Sequence, residues 1–199
     1  CRLALSKAFD YESGLKMVAI TDTVALGKPS TGVIPVGMSG SFTDGNYLAR
    51  DMDAARAHLA DCRYKPEDFT LELSWIAEVA IEERFALMMQ ANFAELGFKS
   101  EVVKLPWALF TERVSKPENT PHFSQLFTDS STGDTDNLLY QMYHSSAKGT
   151  FFSPEYLDDA NVDELLDKGR AEPSDAVRAQ IYKELNQRLL DLAPTIVVF

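Results

Sequence analysis

The sequence has 199 residues, 45% of them hydrophobic, and a formal net charge of −11. That length gives one domain, or two small ones, ample material for a buried core. So acidic a chain lacks the clustered Lys and Arg that displace counterions from a phosphate backbone, which argues against nucleic acid as a partner. No run approaches the roughly 20 consecutive apolar residues of a membrane-spanning helix.

Along the chain, Leu3, Leu5, Ala8, Phe9, Leu15, Val18 and Ala19 recur at helical spacing, with Asp10 and Ser13-Gly14 as a break. This pattern predicts two short helices. From Gly27 to Gly45 the density of Gly, Pro and Ser predicts a long ordered loop. Asp51 is placed to cap a helix over Met52 to Ala60, and Phe69 to Leu73 alternates like a half-buried strand. Ile81 to Leu96 reads as a strong helix stopped by Gly97, and Phe98 to Leu105 as the next strand. Two strands flanking one crossover helix predict a parallel pair, with a third strand around Phe123 to Thr128.

Further on, helices are predicted from Trp107 to Val114, Asn137 to His144 and Val162 to Arg170. The clearest runs from a Ser174 cap to Leu192, with Val177, Ile181, Leu185, Leu189 and Leu192 along one face, and stops before Pro194. Thr195 to Phe199 reads as an apolar strand. There is no repeat of fixed period, so the class is α/β with a mixed, partly parallel sheet flanked by helices.

The two cysteines, Cys1 and Cys62, are too few for a disulfide scaffold and lack the paired spacing of a zinc site. A Cys at position 1 invites a lipoprotein reading. A helix begins at once at Arg2-Leu3-Ala4-Leu5, where a lipoprotein has a flexible tether, so Cys1 is taken as an interior residue of a longer chain.

Five ordered segments resemble family 5 extracellular solute-binding proteins, the peptide-, nickel- and glutathione-binding components of ABC importers. Arg2 to Asp10 resembles the family's opening helix, and Gly27-Lys28-Pro29 onward its Gly/Pro-rich segment. Asp53 to Ala60 resembles "D-x-x-K-A-x-x-L-L", and Glu95-Leu96-Gly97-Phe98 resembles "L-x-x-I-G-I", with Trp107 following in place. Ser130 to Leu139 is similar to "D-x-G-D-P-D-N-F-L", and Arg178 to Pro194 to the final helix. The resemblance implies one lobe of a periplasmic-binding-protein-like (type II) fold, with residues 1–199 forming a single ligand-binding lobe of a longer two-lobe protein. It also implies a periplasmic or extracellular location, possible lipid anchoring through a missing N-terminal part, delivery of a peptide-like or polar solute to a membrane permease, no cofactor and no enzymatic activity.

The implied ligand-binding residues are Ser130, Ser131, Thr132, Asp134, Trp75 and Trp107. In the family's dipeptide binders a carboxylate stands at the position of Ser131, and an Arg falls near Trp75 or Ile76. Without those two charges a zwitterionic dipeptide would leave its termini desolvated and unpaired, so the expected ligand is polar and read by hydroxyls. Two readings of Ser130 to Asp134 stay open, a ligand site and an ordinary capped turn in which Asp134 caps the next helix. Trp75, placed just after a strand end, is the better aromatic candidate, since ligands of open α/β sheets sit beyond the carboxyl ends of strands.

Rival classes are a hydrolase, a helix-rich interaction module and a hard-cation site. The first lacks a Gly-x-Ser-x-Gly elbow among its serines and three histidines. The second would use the final helix as a contact face. The third would draw on Asp158-Asp159 with Glu155, or on Asp134 with Asp136, neither at calcium-loop spacing. An enzyme would set a Ser or an acid beside a His; a transporter lobe would present an open polar and aromatic face.

Overall fold

The computed structural model describes residues 1–21, 24–25, 27–44 and 48–199. Helices α1 (Arg2–Ala8) and α2 (Tyr11–Met17) are separated at Asp10, whose carboxylate accepts from the Ser13 amide at 3.0 Å and the Ser13 hydroxyl at 2.7 Å. That capping is what the break in the hydrophobic pattern reflects. A short antiparallel pair follows, β1 (Ala19–Thr21) with β2 (Val24–Ala25), which helical periodicity through Val18 and Ala19 had concealed.

The described part of the loop, 27–44, contains no helix or strand; Gly45 lies outside the described residues. It is nevertheless tied down. Asn186, fully buried, accepts from the Val33 amide at 2.8 Å and donates to the Gly40 carbonyl at 3.2 Å. Gly40 has φ +83°, and a Cβ there would sit 2.4 Å from the Cβ of Tyr182. Only glycine meets both conditions, the left-handed backbone and the close approach.

Helix α3 (Met52–Ala60) is capped by Asp51, which accepts from the amides of Asp53 and Ala54. Then come β3 (Thr70–Ile76), α4 (Ile81–Ala94) and β4 (Lys99–Leu105), with the strands parallel from Thr70↔Lys99 to Ile76↔Leu105. Gly97, at φ +88°, turns the chain out of α4. Helix α5 (Trp107–Val114) follows, and then β5 (Phe123–Ser124), parallel to β3 on its other side, giving the order β4-β3-β5. The rest is helical, α6 (Thr135–Tyr143), α7 (Ala160–Ala171) and α8 (Asp175–Leu192).

Three apolar clusters hold these elements. The first joins α1 and α4 to the sheet through Ala4, Ala8, Phe9, Leu73, Trp75 and Phe93. The second joins α6, α7 and α8 to the 27–44 loop through Ile34, Leu139, Tyr143, Leu166 and Leu185. The third, Ile76, Leu105, Phe110 and Val114, lies at the carboxyl ends of β3 and β4.

Several sequence expectations are corrected. β3 continues to Ile76, so Trp75 lies inside the strand, in register with Lys104, because Leu73, Trp75 and Ile76 are all buried and the apolar run outlasts the alternation. The third strand is two residues long, extended by one bond from the Gln125 amide to the Ser74 carbonyl at 3.1 Å. Thr195 to Phe199 forms no strand; its apolar side chains pack onto the first two clusters, and Val198 accepts a single bond from the Ser30 amide at 3.4 Å. Ser174 stands at the start of α8 without a side-chain cap bond, its amide donating instead to Glu172 at 2.8 Å. Val177 is 49% exposed, one turn ahead of where α8 becomes buried at Tyr182, Leu185 and Leu189.

Candidate functional site

The three parallel strands end together, β3 at Ile76, β4 at Leu105 and β5 at Ser124. The chain leaving each end lines one cleft of about 520 Å³. From β3 come Ile76, Glu78, Val79 and Glu82; from β4, Trp107; from β5, Leu126, Phe127 and Thr128, with Phe151-Phe152 closing a side. This is where an open α/β sheet places a ligand, because helix starts and loops diverge there and leave a crevice.

The cleft is apolar and aromatic, with two carboxylates. Trp107 is 40% exposed, with its ring 5.1 Å from that of Phe151 and 5.7 Å from that of Phe110. The ring of Phe151 is also 4.1 Å from that of Phe152. Glu78, exposed, accepts from the Trp107 amide through both oxygens at 3.1 and 3.4 Å, satisfying an N–H at the start of α5 that has no intrahelical partner.

Glu82, in the first turn of α4, is only 2% exposed. Its Oε2 accepts from the Ile76 amide at 2.8 Å, and among the described residues no other donor reaches its carboxyl. Burial pushes its pKa up to about 7, against the opposing pull of the Ile76 N–H. Among the described residues, no Lys, Arg or His lines the cleft.

Of the residues singled out from sequence, Trp107 lines this cleft. Trp75 does not: it is 5% exposed within the first core cluster, and Lys104 Nζ lies 4.9 Å from its ring centroid. Ser130, Ser131, Thr132 and Asp134 form a turn a few residues beyond Thr128. Ser130 donates to the Asp134 carbonyl at 2.9 Å, and Ser131 donates to Asn137 Oδ1 through its amide at 3.0 Å and its hydroxyl at 3.1 Å. Thr132 accepts from the Asp134 amide at 3.4 Å, and Gly133 takes φ +72°. Asp134 caps α6 by accepting from the Asp136 amide at 2.7 Å. Arg178 grips the same carboxylate with two bonds of 2.7 Å, holding it below the usual carboxylate range. The turn's polar groups are thus largely engaged with one another, while Ser131 and Thr132 remain exposed.

The acids considered for a cation are paired, Asp134 with Arg178, Asp136 with Arg170, Asp158 with Lys148 and Asp159 with Arg188. Glu155 is largely desolvated, and its pKa rises to about 7. One serine does meet a histidine: Ser146 Oγ lies 2.7 Å from His144 Nδ1, and His144 Nε2 is 3.6 Å from Asp167. His144 Nδ1 also accepts from the Ser146 amide at 3.1 Å as the cap of a single turn, and none of these residues borders the cleft. A second cavity, about 310 Å³, lies among Leu3, Ser6, His58, Gln187 and Leu189, away from the strand ends.

Sequence reasoning missed Glu82, Glu78, Phe127 and Phe151-Phe152. For Glu82 a signal existed: it falls three, four and seven residues before Phe85, Ala86 and Met89, on the buried stripe of α4. The loop aromatics carried no periodic signal.

Comparison with known proteins fits this geometry. The model for bacterial extracellular solute-binding proteins, family 5 (middle), matches residues 1–150. Protein XP55 of Streptomyces lividans is 26% identical over 203 aligned residues, covering 95% of this chain and 35% of that protein. The dipeptide-binding protein of Escherichia coli K12 is 24% identical, covering 99% of this chain and 36% of that one. Among solved structures, AgaA of A. tumefaciens R10, in complex with agropinic acid, superposes with a TM-score of 0.78 at 27% identity, over 97% of this chain and 38% of that one. The chain therefore spans about a third of the length of the curated relatives it matches, has the mixed α/β architecture of periplasmic-binding-protein-like folds, and belongs to the family 5 bacterial extracellular solute-binding proteins.

Proposed function

We propose that this chain is one ligand-binding lobe, residues 1–199, of the extracytoplasmic solute-binding component of an ABC importer. It takes up a peptide-like or other polar solute and delivers it to the membrane permease. The observation that carries this reading is the cleft of about 520 Å³ at the carboxyl ends of three parallel strands. Its volume lies within the range of small-molecule sites, and its aromatic wall with a few polar groups is their usual composition. On this reading Trp107 is the principal contact, and Ser130, Ser131 and Thr132, just past Thr128 in sequence, are secondary contacts. The chain then binds and does not catalyse, and the Ser146–His144 contact among the described residues serves a turn outside the cleft.

The experiment is thermal denaturation of the full-length parent protein against glutathione, di- and oligopeptides, nickel chelates and oligosaccharides. A solute that binds only the folded state at 100 times its Kd raises stability by about 2.7 kcal/mol. Trp107→Ala is expected to abolish the shift, and Ser131→Ala to reduce it. No shift with any solute, together with release of hydrolysis products, overturns the reading.

A further inference from the structure

We infer that the cleft selects a solute that combines an apolar or aromatic body with a cationic group, and that Glu82 and Glu78 are the anionic counterparts of that cation. The inference rests on the solute-binding reading above and names the chemical class the site takes.

Three observations converge. The wall is built of exposed or half-exposed rings, Trp107, Phe127 and Phe151, whose faces attract cations and whose area accepts an apolar body. Within that wall, among the described residues, the formal charge is negative: Glu78 and Glu82 are its ionisable residues. Neither α5, nor the 125–128 segment, nor Phe151-Phe152 contributes a basic group. Glu82 is 2% exposed with one carboxyl oxygen bonded to the Ile76 amide and no donor on the other among the described residues.

A carboxyl at the cleft wall with spare acceptor capacity can take a further donor. A ligand ammonium or guanidinium entering the cleft supplies that donor and the opposite charge. A ligand carboxylate would meet two acceptors and no cation. With two carboxylates in its lining and no basic residue among the described ones, the polarity of the cleft is opposite to one that grips a carboxylate end.

The test uses three blocked dipeptides of equal size with charges fixed between pH 6 and 8: N-acetyl-Phe-Lys-amide, N-acetyl-Phe-Gln-amide and N-acetyl-Phe-Glu-amide. Their Kd values are measured by calorimetry on the full-length protein and on its Glu82→Gln and Glu78→Gln variants. The expected order is Lys tightest and Glu weakest, with the Lys form favoured over the Gln form by roughly tenfold at pH 8. Its advantage shrinks at pH 6, where Glu82 holds its proton. Glu82→Gln removes most of that preference and its pH dependence. Should Glu82→Gln fail to fold, Glu78→Gln, at an exposed position, is expected to lower the preference by a few-fold.

Equal affinity across the three peptides, preference for the Glu form, or a preference untouched by both variants overturns the inference. If none of the three binds while another solute stabilises the protein, this inference falls and the solute-binding reading stands. If nothing binds at all, both fall.

Discussion

Glu82 is a residue whose position costs the fold something. Its unfolded pKa is near the ordinary 4.5, and in the folded protein burial raises it to about 7. Below about pH 4.5 the group is protonated in both states and carries no penalty. As pH rises toward 7 the unfolded chain sheds the proton first, so stability falls across that window, up to a loss of about 3 kcal/mol above it. Glu155 adds to the same decline, since burial also lifts it to about 7. Glu82→Gln keeps an acceptor for the Ile76 amide without the charge, and is expected to raise stability by roughly 1–3 kcal/mol at pH 8 and by little at pH 4.5. Paired urea titrations at the two pH values check this. Such a residue was visible in the sequence as a carboxylate on an apolar helix stripe. The sequence favoured Trp75 over Trp107, and the structure buries Trp75 instead, because a strand's last paired residue depends on its neighbour and not on its own alternation.

At the level of elements, the strand, helix and strand from Thr70 to Leu105 were legible because alternation, helical period and Gly97 all agree. The tail from Thr195 to Phe199 was not, since an apolar run fits a strand and a packed coil equally well. The turn at Ser130 to Asp134 shows how cap and ion pair share one side chain: Asp134 starts α6 and anchors α8 through Arg178. Asp134→Ala is expected to lower stability by about 1–2 kcal/mol, read as a lower denaturation midpoint. A loss of ligand binding with an unchanged midpoint would instead make the turn a direct contact. Gly40→Ala forces a φ of +83° on a residue with a Cβ and drives that atom into Tyr182. A loss of roughly 1–3 kcal/mol is expected, measurable by the same unfolding curve.

For the whole molecule, charge and composition excluded partners but named no ligand, and the family was carried by the order of short motifs. The cleft could not be read in advance, because it is assembled from three strand exits and a loop far apart in sequence. It is also open on one side, and enclosure supplies much of a solute site's affinity. The 199-residue chain alone is therefore expected to bind any ligand of the parent at least tenfold more weakly, as calorimetry on the two proteins would report.

The bond between Glu78 and the Trp107 amide has a consequence for observation. A cation that draws on Glu78, as inferred above, would share that carboxylate with the first N–H of α5, so filling the cleft changes the surroundings of Trp107. Of the two tryptophans, Trp75 is enclosed in the core and Trp107 stands at the wall. A change of intrinsic fluorescence on titration with a solute is thus expected to come mainly from the Trp107 indole, an optical gauge of occupancy built into the cleft wall.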